Sequence, residues 1–145
     1  MRHFFENSIA MRVFYSSFSY CYFAFMASPR AFDESLVLVK AKKLFASQGY
    51  NGTSIDDLVK VTGMLRGSLY QAFGSKRNMF ERVLSDVSEN FDPTNENLDL
   101  LTVALKEMAP QDARIRKLCR AIVAGQESKY PKLLGSNLLE KMKGK

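Results

Sequence analysis

The chain has 145 residues, 46% of them hydrophobic, which is enough for one ordinary domain or a small pair of helical subdomains around a real core. A formal charge of +6 makes a polyanion a plausible partner. The only histidine is His3, and the two cysteines, Cys21 and Cys119, are far apart with no C-x-x-C pair; this excludes a disulfide framework, a zinc cluster and Ser/His/Asp or Cys/His catalytic machinery, and points to a non-enzyme without cofactor in a reducing, cytoplasmic compartment.

Residues 1–25 differ from the rest: nine of the seventeen aromatics lie there, with Arg2, Glu6 and Arg12 as the charged residues. The apolar run from Val13 to Ala27 contains three serines and no clean small-x-small cleavage site, and it falls short of the about 20 apolar residues that span a bilayer. The segment reads as upstream translation before a natural start at Met26, the alternatives being a hydrophobic arm or a weak membrane anchor. The function is then placed after Met26.

From Phe32 to Gln48 the apolar residues Leu36, Val37, Ala41, Leu44 and Phe45 recur at helical spacing, with Lys40, Lys42 and Lys43 on the wetter side. Gly49 follows as a left-handed cap, and Tyr50 stands where a Schellman motif places its apolar contact. Next, Thr53 or Ser54 caps a second helix to about Thr62, with Asp56 and Asp57 in its first turn and Ile55, Leu58 and Val59 inward. Gly63 breaks it.

After a tight turn, Arg66 to Phe73 is a third short helix with Leu69 and Phe73 facing in and Arg66, Gly67, Ser68, Tyr70 and Gln71 facing out. Two short helices about a glycine turn suggest a helix-turn-helix, whose second helix presents its N-terminal residues to base edges in the major groove. A glycine-serine pair there lowers helix propensity by ~1 kcal/mol, and its smallness would let backbone approach DNA closely. Ser75 caps a fourth helix opening with Lys76 and Arg77, a phosphate clamp of N–H groups and cations, and carrying Met79, Phe80, Val83, Leu84, Val87 and Phe91 as a core stripe.

These residues resemble the TetR-type transcriptional regulators. The shared elements are Leu44-Phe45, Gly49-Tyr50, Thr53-Ser54, Gly63, Gly67-Ser68-Leu69-Tyr70, Phe73-Gly74-Ser75-Lys76 and Met79-Phe80, and Met26 to Asp33 resembles the usual start of such proteins. The resemblance implies an all-α fold: a three-helix helix-turn-helix bundle with a linking fourth helix over 26–91, then a shortened helical effector and dimerisation domain over 92–145. It implies double-stranded DNA as partner, with Thr53 and Ser54 touching phosphate, Arg66, Gly67 and Ser68 at the groove, Tyr70 and Gln71 on backbone or base, and Lys76 on a phosphate. Leu65 completes the candidate DNA-binding set, standing where the family often has a capping hydroxyl; Ala72 replaces a frequent histidine or polar residue.

Beyond the turn Asp92-Pro93-Thr94-Asn95, a helix through Leu98, Leu101, Leu105 and Met108 stops before Pro110, and Asp112 caps another that bears Ile115, Leu118, Cys119, Ile122 and Val123, with Gly125 interrupting or ending it. Cys119 reads as a small core residue. Gln126 to Leu133 resembles the E-S-x-x-F/Y-P-x-L stretch of TetR-type effector domains. Family members continue with helices that complete a small-molecule pocket and a homodimer interface, and the resemblance leads to the expectation that these are missing here. Leu101, Leu105, Ile115, Leu118 and Ile122 are therefore expected to lack partners. The sequence supports a sequence-specific DNA-binding regulator of repressor type; the alternative is a truncated interaction protein that pairs with a longer relative and does not bind DNA alone.

Overall fold

The computed structural model describes residues 33–89, 91–125 and 127–143. Within them the chain is all helical: α1 (Glu34–Gln48), α2 (Ile55–Thr62), α3 (Arg66–Phe73), α4 (Lys76–Glu89), α5 (Asn95–Val103), α6 (Ala113–Val123) and α7 (Tyr130–Met142), with no strand among the described residues. The readings made for residues 1–25, Met26, His3 and Cys21 lie outside the described residues. Among the described residues no helix is long and apolar enough to cross a membrane.

Helix α1 is the hub, lying against α2, α4 and α5, while α6 packs on α4 and α7 on α5. Its buried stripe is Val37, Leu38, Ala41, Leu44 and Phe45. Leu36, expected inside, is 53% exposed, because the stripe runs through Leu38 and turns position 36 outward.

Gly49 ends α1 at φ 80°, as the sequence requires. The cap is the single-bond left-handed form, with the Gly49 N–H donating to the Phe45 carbonyl at 2.9 Å, rather than the two-bond Schellman pair. A second constraint acts on the same position: a Cβ there would stand 2.6 Å from Glu107 Oε1. Tyr50 then stacks on Phe45 at 6.2 Å, and the Phe80 ring of α4 meets both edge-on at 5.1 and 5.3 Å. Phe45 and Phe80 are fully buried, and side chains of this kind contribute roughly 2–3 kcal/mol each relative to exposure.

Helix α4 buries Met79, Phe80, Val83, Leu84 and Val87 as the spacing predicts. Phe91 lies outside α4; its ring meets Tyr130 at 5.7 Å. In α5, Leu98 and Leu101 are buried, but a π turn over Ala104–Met108, closed by the Ala109 N–H on the Ala104 carbonyl, widens the last turn. That extra residue shifts the helical phase, so Met108 and Ala109 are buried while Leu105 is 39% exposed.

Of the residues expected to lack apolar partners, Leu105 is exposed and Leu118 half-buried. Leu101, Ile115 and Ile122 are buried within the chain, whereas Leu138, Leu139 and Met142 of α7 are exposed. Polar ties hold α7 in place: the Asn137 amide and the Lys141 ammonium each reach an Asp99 carboxylate oxygen at 2.7 Å. Cys119 is a buried core residue, and burial pushes its thiol up to about 11.

Candidate nucleic-acid interface

The second and third helices are set by their own termini. Ser54 is the N-cap of α2 and forms a capping box: its Oγ accepts from the Asp57 N–H at 3.1 Å, and an Asp57 carboxylate oxygen accepts from the Ser54 N–H at 2.9 Å and from its hydroxyl at 2.6 Å. These bonds to Ser54, side chain first and backbone second, hold the Asp57 carboxyl below its ordinary value. At the other end Gly63 adopts φ 75° and donates to the Val59 carbonyl at 2.9 Å, a conformation that L side chains enter only with strain. Met64 is buried and anchors the turn.

Helix α3 buries Leu69 and Phe73 against α2 and α4 and ends at Gly74. Leu65, Arg66, Gly67, Tyr70 and Gln71 are exposed, and Ser68 is half-buried. A Cβ added to Gly67 would meet nothing within 4 Å. The fold therefore places no demand for glycine there, and the open space lies outside the protein.

Arg66 pairs with Asp56 of α2, both on exposed side chains, which joins the outer faces of the two helices. The carboxylate raises the affinity of the guanidinium for its proton. Such exposed pairs are weak, so the guanidinium can exchange this partner for a base edge or a phosphate.

Two of the sequence-derived candidates are engaged inside the fold. Thr53 is 1% exposed, and its hydroxyl donates to the Gly49 carbonyl at 2.7 Å. The Lys76 ammonium donates to the carbonyls of Tyr50 at 2.9 Å and Thr53 at 2.7 Å and lies 4.3 Å from the centre of the Tyr50 ring. Lys76 thus clamps the loop between α1 and α2 to the start of α4. Arg77, read beside it as a second cation for phosphate, is held by Asp112 and Glu81. What α4 presents at its N-terminus is the cap itself, with Ser75 Oγ accepting from the Asn78 N–H at 3.0 Å.

Sequence reasoning missed Asp56, which orients Arg66, and Asp112, which holds Arg77. The first had a signal in its place on the first turn of α2. The second had none, since residues far apart in the chain meet only after the helices pack.

The model of the bacterial regulatory proteins of the tetR family matches residues 37–83, a span that holds α2, α3 and most of α1 and α4. The HTH-type transcriptional regulator YezE of Bacillus subtilis (strain 168) is 44% identical over 55 residues, 38% of this chain and 28% of YezE. The HTH-type transcriptional repressor ComR of Escherichia coli (strain K12) is 40% identical over 68 residues, 47% of this chain and 32% of ComR. The biofilm operon icaADBC negative transcriptional regulator IcaR of Staphylococcus aureus (strain Newman) is 33% identical over 64 residues, 42% of this chain and 34% of IcaR. Each match thus spans about a third of these curated relatives' length. No solved structure matches the chain significantly. Residues 37–83, the span that builds the two short helices about Gly63, are thus similar to the bacterial regulatory proteins of the tetR family.

Proposed function

We propose that this chain is a sequence-specific, double-stranded-DNA-binding transcriptional regulator of repressor type, acting in the cytoplasm with α3 in the major groove. The observation that carries the reading is the outer face of α3: Arg66, Gly67, Tyr70 and Gln71 are open, and the glycine has no role inside the fold. The names of ComR and IcaR as a repressor and a negative regulator support the direction of control. In this reading residues 26–91 recognise DNA and residues 92–145 belong to the helical effector portion; an enriched inverted repeat in the test below would add a homodimer on half-sites about one helical turn apart. Ser54 and the N-terminus of α4 would meet the phosphate backbone, and Arg66, Gly67, Ser68, Tyr70 and Gln71 the groove.

Selection of genomic fragments by the purified chain at near-physiological salt, read by sequencing, tests this. An enriched inverted repeat supports it, and Arg66→Ala should then relax the preference at one base position of each half-site while keeping the rest. Absence of any enriched sequence counts against it.

A second reading has its own observation, the exposure of Leu138, Leu139 and Met142 on α7. There the chain pairs through α7 with a longer relative and does not read DNA alone. Co-purification of such a partner, with no DNA retained by the isolated chain, distinguishes the two.

A further inference from the structure

We propose that Leu65 reads a thymine 5-methyl group in the half-site that α3 contacts. The inference rests on the reading of α3 as the groove helix and adds the chemistry of one base position.

Leu65 occupies the N-cap position of α3, at φ −68° and ψ 146°, and makes no side-chain bond to the first turn. An oxygen-bearing side chain is the favoured choice at such a position, because it accepts from an N–H that the helix leaves without a partner. Leucine gives up that bond. It gains nothing inside the fold either, since its side chain is 77% exposed, while the neighbouring Met64 is 7% exposed and fills the core beneath the turn.

Its surroundings are bare. At 77% exposed Leu65 is open to solvent, and Gly63 and Gly67, two positions away on either side, carry no side chain beside it along the chain. The exposed residues that follow, Arg66, Tyr70 and Gln71, all carry polar groups, leaving Leu65 as the aliphatic element at the leading end of the helix. An N-terminal residue of a groove-bound recognition helix meets base edges. Of the four bases, thymine alone presents a methyl group in the major groove, and an aliphatic side chain, with no hydrogen bond to offer, distinguishes bases there by that methyl. Contact removes both the methyl and the leucine from water, which gives the exposed side chain a destination.

The test uses the full 145-residue chain. After its preferred duplex is selected, each thymine is replaced in turn by deoxyuridine, which deletes the 5-methyl and nothing else. One thymine position per half-site should lose about fourfold in affinity on replacement, the transfer value of a single methyl group. That sensitivity should vanish in both Leu65→Ala and Leu65→Ser. The serine variant restores a capping oxygen, and its melting curve checks that the fold is kept. Selected DNA with no uracil-sensitive position, or a sensitivity that persists in both variants, overturns the role of Leu65 and leaves α3 as the groove helix. Selection of no duplex at all overturns the groove reading itself, and the inference with it.

Discussion

Arg77 and Asp112 stand 35 positions apart in the chain and meet in a two-pronged pair, the guanidinium Nε donating to Oδ2 at 2.8 Å and Nη2 to Oδ1 at 3.0 Å. The same carboxylate caps α6, accepting from the N–H groups of Arg114 at 3.0 Å and Ile115 at 3.2 Å. One side chain therefore ties the start of α4, directly after the helix-turn-helix, to the start of α6. Nearby, the Asn51 N–H donates to Glu107 Oε2 at 2.8 Å, a second tie between the loop after α1 and the π turn.

Acid should weaken this tie. Burial resists the ionisation of Asp112, but the Arg77 guanidinium and the N–H donors of Ile115 and Arg114 together outweigh it and hold the carboxyl below its usual range. A carboxyl depressed in the folded state contributes stability above its unfolded value of about 3.9, and the contribution is lost as pH falls through the folded value. Asp112→Asn should cost about 2 kcal/mol at neutral pH and shrink the loss of stability below about pH 4. Urea titrations across that range check it; an acid limb equally steep in the variant contradicts the assignment.

Gly67→Ala should separate stability from recognition. The added methyl meets nothing within 4 Å, and alanine is favoured over glycine in a helix interior by roughly 0.5–1 kcal/mol, so the melting temperature should rise. On the proposed reading binding to the selected duplex should fall, because the methyl would occupy the space through which backbone is to approach DNA. Melting and retention of labelled duplex on the same preparation read both effects. A variant that is more stable and binds as well would remove Gly67 from the interface.

Lys76→Met should behave as a fold mutation. It removes two charge-assisted hydrogen bonds to the carbonyls of Tyr50 and Thr53 together with the ring contact, at a cost of about 2 kcal/mol. The slope of log affinity against log salt should change by less than the about 0.9 that one lost phosphate contact produces. A full unit of slope lost with unchanged melting would instead place the ammonium on DNA.

Much of this architecture is legible in the chain because its signals are local. Gly49 and Gly63 stop helices through backbone conformations that other residues resist, Ser54 and Asp57 lie three apart as a capping box needs, and the stripes of α1 and α4 follow helical spacing. Leu36 and Leu105 escape the same logic. An apolar residue at the edge of a stripe carries no mark of which side it takes, and the π turn that rotates Leu105 outward has no signature in residue type.

The candidate interface divides along the same line. The order of small, cationic and aromatic residues in α3 is enough to name the helix that faces outward, since burying Leu69 and Phe73 leaves Arg66, Tyr70 and Gln71 no other side. Which cations remain available was decided by packing. Lys76 and Arg77 carry the same charge in sequence as Arg66, but carbonyls brought from the α1–α2 loop and a carboxylate brought from α6 engage them, while Arg66 keeps an exposed and exchangeable partner. Charge is a property of composition; its availability depends on the groups that folding places within hydrogen-bonding reach.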